Sequence, residues 1–166
     1  MTPRRPSAKQ PRDSIRMASR GNYFSSMEWL KAELEIRTPG RGLHDFTSRV
    51  SDQIKSWKIE EGMCWLYLQH TSASLLISEN YDPTAKQDLE EFLRRLAPEN
   101  QSWHKHTLEG PDDSPSHMRA LLTGTSETIP IDNGSLTLGT WQGLYLCEHR
   151  TSPHRRKVLI RCLKAK

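Results

Sequence analysis

A chain of 166 residues with a 34% apolar fraction and a net charge of +4 suits one domain around one core and is too small for two. No run of about 18 apolar residues occurs, so a membrane-spanning helix is excluded on length. The charge total is also no sign of a basic patch: residues 1 to 26 carry six basic side chains against the single acid Asp13, net +5, which leaves −1 for the rest.

That first stretch, residues 1–27, reads as a disordered basic tail, with 28–166 as the domain. A basic arm attracts phosphate in a salt-sensitive way, but nucleic acid is not the expected partner of the domain. The tail's Arg and Ser content and scarcity of acids give it some character of an organelle transit peptide. Translation from Met17 or Met27 is the simpler explanation.

In chain order, Leu30, Ala32, Leu34 and Ile36 alternate with Lys31, Glu33, Glu35 and Arg37, which predicts a strand with one wet face. After Pro39, Gly40 and Gly42, the spacing of Phe46, Val50, Ile54 and Trp57 predicts a helix ending near Gly62. Met63 to Leu68 reads as a strand buried on both faces, and Ser74 to Ser78 as another, across the polar step Gln69-His70-Thr71-Ser72. Asp82 is the expected cap of a second helix with Pro83 in its first turn, and Leu89, Phe92, Leu93 and Leu96 are its expected buried stripe. Residues 98 to 115 lack apolar periodicity and read as a loop. Ser116 to Leu122 is helix-like, and strands are expected at Thr128–Ile131, up to Leu138, at Leu144–Glu148 and at Lys157–Leu163. Asn133-Gly134 is a hairpin signal, since both residues tolerate positive φ. Many short strands with two main helices predict an α+β domain with a largely antiparallel sheet. Cys64, Cys147 and Cys162 are odd in number, have no CxxC spacing and sit in apolar runs. They are expected to be free core residues of a cytoplasmic protein.

Chemistry is concentrated between residues 70 and 117. His70 ends a strand, His104 opens the acidic loop and His117 begins the helix that closes it. Imidazole is both the commonest metal ligand and the natural proton carrier near neutral pH. Glu79, Asp82, Glu109, Asp112 and Asp113 are the nearby acids, able to orient a ligating histidine, act as bases or hold a cation. In Gly139-Thr140-Trp141-Gln142-Gly143 two glycines flank a stacking face and an amide. Glu148 and Arg150 add charge just beyond, where an arginine could grip phosphate.

The runs His70-Thr71-Ser72-Ala73, Glu79-Asn80-Tyr81-Asp82-Pro83, Trp103-His104, Glu109-Gly110-Pro111-Asp112-Asp113, His117, Pro130 with Asn133-Gly134, and Leu138-Gly139-Thr140-Trp141-Gln142 together resemble the YjbQ-like family. Its members are often labelled secondary thiamine-phosphate synthases. The resemblance covers roughly residues 28 to 164. It implies a β-sandwich-like α+β fold in a compact homotrimer, with metal-binding clefts that contain the histidines. It also implies a weak or secondary coupling of hydroxymethylpyrimidine diphosphate to a thiazole phosphate. On that reading His70, His104 and His117 hold a divalent metal, Zn²⁺ or Mg²⁺. Glu79, His104, Glu109, Asp113 and Gln142 serve catalysis, while Thr71, Ser72, Asn80, Trp141, Glu148 and Arg150 bind a small phosphorylated metabolite. The same side chains equally suit a non-catalytic metal- or metabolite-binding trimer, or a metal-assisted hydrolase.

Overall fold

In the computed structural model, which describes residues 27–165, the alternating stretch opens the domain as β1 (Glu28–Thr38). The basic tail assigned to residues 1–27 lies, apart from Met27, outside the described residues. The order is then β2 (Gly42–Asp45), α1 (Thr47–Ser56), β3 (Gly62–Leu68), β4 (Ala73–Glu79), α2 (Pro83–Leu96), α3 (Asp113–Leu122), β5 (Ser126–Asp132), β6 (Ser135–Leu136), β7 (Gln142–Glu148) and β8 (His154–Lys164). One sheet runs β1-β8-β3-β5-β6 and a second runs β2-β7-β4. Every pairing is antiparallel. The expected α+β class is what forms, with the two main helices and, as α3, the short helical stretch expected at Ser116–Leu122.

The inner faces of the two sheets share one core. Cys64, Leu66, Leu68, Val158, Ile160 and Cys162 of the large sheet meet Ala73, Leu75, Leu144 and Leu146 of the small one, and α1 inserts Val50 and Ile54. All three cysteines are buried and free. Contrary to expectation, β3 is not covered on both sides: Cys64, Leu66 and Leu68 are buried, whereas Tyr67 is exposed and Trp65 rests on Trp29 at 5.7 Å. Among the described residues no layer covers that face. The strand buried on both sides is β7, whose Leu144 and Leu146 enter the main core. Its Tyr145 and Cys147 pack with Leu43 and Leu89 on the opposite face.

The second helix begins as its sequence predicts, with the Asp82 side chain accepting from the Thr84 N–H at 2.8 Å and proline in its first turn. Its expected stripe is only partly buried. Leu93 is covered, but Phe92 and Leu96 are exposed because α2 touches the small sheet along a narrow line through Leu89 and Leu93. The Asn133-Gly134 turn forms with φ of 50° and 74°, joining β5 to the short β6.

One polar group is sealed between β7 and β4. The Nε2 atom of His149, just past β7, lies 2.8 Å from the Ser74 hydroxyl, and both residues are buried. Burial, with further opposition from Arg119, pushes the His149 imidazole down to about 4, so it is neutral at pH 7. An unfolded histidine keeps its ordinary value of 6.5. Below that pH the unfolded chain gains a proton that the folded chain refuses, so stability falls as pH drops from 6.5 towards 4. The loss amounts to roughly 3 kcal/mol. In urea unfolding at pH 7, 6 and 5, we expect the midpoint to decline steadily for the natural chain and to be much flatter over this window in His149→Gln.

Candidate metal centre

α3 starts three residues earlier than its apolar pattern suggests, at Asp113, and this places Asp113 and His117 four apart on one face. The loop before it turns at Gly110, whose φ of 107° suits a residue without a Cβ, and brings His106 to the same point. Among the described residues one group has donor atoms suited to a metal: His106, Asp113 and His117, all within 4.8 Å of one another. The Asp113 side chain is 2% exposed, while His106 and His117 are 55% and 38% exposed. A buried carboxylate thus sits at the floor with two imidazoles at the rim.

Protonation in this cluster is constrained. His117 Nδ1 lies 2.8 Å from the Thr71 carbonyl oxygen, which only accepts, so Nδ1 carries a proton and Nε2 is the nitrogen that bears the lone pair in the neutral ring. That Nε2 faces Asp113 Oδ2 at 3.5 Å, and His106 Nε2 stands 2.7 Å from the same oxygen. Neither approach has hydrogen-bond geometry, and Asp113 Oδ2 is buried without a donor. These three donor atoms, one from each side chain, could together hold a cation. Two imidazoles and one carboxylate suit Zn²⁺ or another transition metal better than Mg²⁺, which prefers oxygen ligands.

Arg150 supports the floor. Its guanidinium donates to Asp113 Oδ1 at 2.5 Å, to Asp112 Oδ2 at 3.3 Å and to the Glu109 carbonyl at 2.7 Å. Burial works against ionised Asp112, but hydrogen bonds from the Thr151 N–H and hydroxyl, together with Arg150, hold its carboxyl below the usual range. The backbone of Arg150 is fixed in turn by Glu148, whose Oε1 accepts its N–H at 3.0 Å. Glu148 forms a buried pair with Arg156 (2.6 and 2.7 Å) and accepts from the Thr38 hydroxyl at 2.9 Å. Burial opposes its charge and these partners prevail.

The expected trio of histidines does not form the group. His70 accepts from the Lys157 N–H at 3.0 Å and lies 3.5 Å from Arg156. Burial and Arg156 lower its pKa. The His104 ring packs edge-on against Trp103 at 4.3 Å, and its Nε2 is buried without a partner. His106 takes the place expected for them. Of the other expected site residues, Thr71 contributes its carbonyl, Ser72 accepts from Arg156 at 3.1 Å, and Arg150 and Glu148 are tied up as described. Glu109 keeps an exposed carboxylate 3.5 Å from Arg150.

The remaining expected residues lie elsewhere. Glu79 pairs with Gln142 and Ala73 with Glu148, at opposite ends of the β4–β7 ladder. Six residue steps separate them, about 20 Å. At the far end Glu79 Oε1 accepts from the Tyr81 and Asp82 N–H groups, leaving Oε2 buried and unpartnered. The Asn80 side chain donates to the Gln142 carbonyl at 3.2 Å, and the Gln142 side chain accepts from the Gly139 N–H at 2.8 Å. Tyr81 and Trp141, both exposed, meet edge to face at 4.5 Å.

Residues 32–165 match the family model described as UPF0047 protein YjbQ-like. A UPF0047 protein of Synechocystis sp. is 47% identical over 127 residues, covering 76% of this chain and 86% of that protein. The UPF0047 protein YjbQ of Escherichia coli O157:H7 is 39% identical over 132 residues, covering 79% and 95%. Among solved structures, a conserved hypothetical protein of Thermus thermophilus is similar at a TM-score of 0.71 and 35% identity, covering 78% of this chain and 98% of that one. A YbjQ-like protein of unknown function from Sulfolobus solfataricus shares the fold at a TM-score of 0.76 and 22% identity, covering 84% and 99%. None of these descriptions names a thiamine phosphate activity.

The revised ligand set has a direct test. Titrated with Zn²⁺ after chelator treatment, the natural chain should bind one equivalent. His106→Ala and His117→Ala should each weaken binding by more than about 100-fold, because even the outer partners of metal ligands carry 10- to 100-fold effects. His70→Asn should bind as the natural chain does.

Proposed function

The chain belongs to the UPF0047 protein YjbQ-like family, and from that premise we propose that it is a metal-dependent enzyme hydrolysing a small phosphorylated metabolite. The observation that carries this reading is the fixed tautomer of His117, whose bare Nε2 faces the donorless buried oxygen of Asp113. A cation held by His106, Asp113 and His117 would supply Lewis acidity to a phosphoryl oxygen and lower the pKa of a water. Three protein donors on a half-open rim leave room for substrate.

The rest is the work of side chains. Arg150 orients Asp113 and shares its charge, so this arginine holds the floor and does not reach for substrate. Glu109, exposed beside it, is the carboxylate free to take a proton from the attacking water. The Thr71 carbonyl keeps His117 in the ligating tautomer. No helix among the described residues is long and apolar enough to cross a membrane, and a cytoplasmic location is part of this proposal.

Coupling of two thiamine precursors is a second reading, favoured by the exposed Tyr81–Trp141 pair, which offers a face for a pyrimidine. That pair sits beside the Glu79–Gln142 end of the β4–β7 ladder, about 20 Å from the Ala73–Glu148 end next to which Thr71 and Arg150 hold the ligands, so on this reading one cleft draws on two copies. A homotrimer fits this requirement. The apolar side chains of Phe92, Leu96, Trp103, Leu108, Leu121 and Leu122 stand exposed on α2, α3 and the loop between them, as at a subunit contact.

The test is a panel of phosphate monoesters, together with the two thiamine precursors, offered to metal-loaded protein whose mass is measured by light scattering. We expect metal-dependent ester hydrolysis that drops at least about 100-fold in His117→Ala, as for loss of a group acting in the transition state, with an unchanged unfolding midpoint. Thiamine phosphate formation faster than any hydrolysis would install the coupling reading. Bound metal with no turnover would leave a binding module.

A further inference from the structure

α3 has a second side that the metal centre does not use. Arg119 lies two residues beyond His117, about 200° around the helix axis, and faces away from the ligands towards the end of α2. It is 1% exposed, the largest side chain to be sealed so completely among the described residues. A guanidinium this deep normally rests on a carboxylate. Here Nε donates to the Leu93 carbonyl at 3.3 Å and Nη2 to the Ala97 carbonyl at 2.7 Å, closing the carboxyl end of α2. Nη1 has no partner among the described residues.

Arg119 forms the inner wall of an open pocket of about 300 Å³ whose other walls are Arg41, Arg94, Pro98 and Glu99. Three arginines therefore line a space that has one carboxylate among its walls. Glu99 is already engaged with Arg41, which also donates to the His149 carbonyl at 3.1 Å. Arg94 is held from outside the pocket by Glu91, at 2.6 and 2.7 Å. That leaves Arg119 with no carboxylate in direct contact: burial opposes its charge first and Arg41 next, while Glu99 and Asp112 support it only from a distance. Capping two carbonyls explains the position of Arg119, but it does not explain why two more arginines gather round it.

The geometry points to an oxyanion site: the pocket of Arg41, Arg94 and Arg119 binds a small anion of the phosphate or carboxylate class, on the side of α3 opposite the metal centre. Phosphate matches the fork of an arginine with two oxygens at once, and a multiply charged anion supplies a counterion in direct contact. The site is independent of the hydrolase reading and would stand if that reading failed.

Inorganic phosphate is the probe, titrated into chelator-treated full-length protein at constant ionic strength and followed by amide chemical shifts in NMR. We expect saturable binding of one phosphate per chain with a dissociation constant of about 1 mM or tighter, competed by sulfate but not by chloride. Arg94→Gln and Arg41→Gln, both on partly exposed side chains, should each weaken it about tenfold, the effect of one lost charged contact. His117→Ala should leave the affinity unchanged. Arg119→Lys keeps the charge without the fork and should also bind more weakly wherever its spectrum shows it folded. No saturation by tens of millimolar phosphate would overturn the proposal, as would binding that survives the Arg41 and Arg94 changes or disappears with His117→Ala.

Discussion

The buried ion pair of Glu148 with Arg156 is the interaction from which the candidate centre hangs. Pairs of this kind add little net stability while intact, and breaking one by removing a partner costs about 3–5 kcal/mol. What this pair provides is position. Glu148 holds the backbone of Arg150, and Arg150 holds Asp113 and Asp112. From the other partner, Arg156 reaches Ser72, next to Thr71, whose carbonyl sets the ring of His117. The two branches meet again at Asp113 and His117, one turn apart on α3. Strand ends, loop and helix are thereby tied together, and the buried carboxylate of Asp113 at the far point is held in place by Arg150.

The parts of the fold legible in the sequence are those with a strong local period or a local chemical marker. The alternation of β1, the spacing of Val50 and Ile54 in α1, the Asp82 cap and the Asn133-Gly134 turn were all readable. What escaped depends on distant partners. Four residues make β2 too short to show any period, and it exists because Leu43 and Asp45 pair with β7. Phe92 and Leu96 sit at helical spacing with Leu93, so pattern alone assigns them to a core that does not reach them. The same limit applies to β3, which carries apolar residues on a face that nothing among the described residues covers.

The site was half legible for a related reason. Its district was marked by histidines and acids between residues 70 and 117, and Asp113 and His117 do come together there, while Arg150, expected to bind a phosphorylated metabolite, holds Asp113 instead. The missing member was His106, present in the loop but passed over for His104, since nothing in an aperiodic stretch says which imidazole turns inward. Asp113 and His117 at a spacing of four are a signal that could have been used. Placing the start of α3 at Ser116, as the apolar pattern does, hides it. Arg119 and His149 escaped altogether, because only burial makes them unusual.

Glu33 and Glu35 on β1 have a role apart from any ligand. β1 is eleven residues long and forms an outer edge of the large sheet, its far side unpaired among the described residues. A free edge of that length is a template on which other chains can zip into fibrils. Along it Lys31, Glu33, Glu35 and Arg37 set a charge at every second position, and Glu33 is tied back to Lys157 of the neighbouring strand at 2.8 Å. A newcomer docking along this edge would have to strip water from that row and accommodate its alternating signs. The charge row thus works against edge-to-edge pairing along the eleven residues of β1.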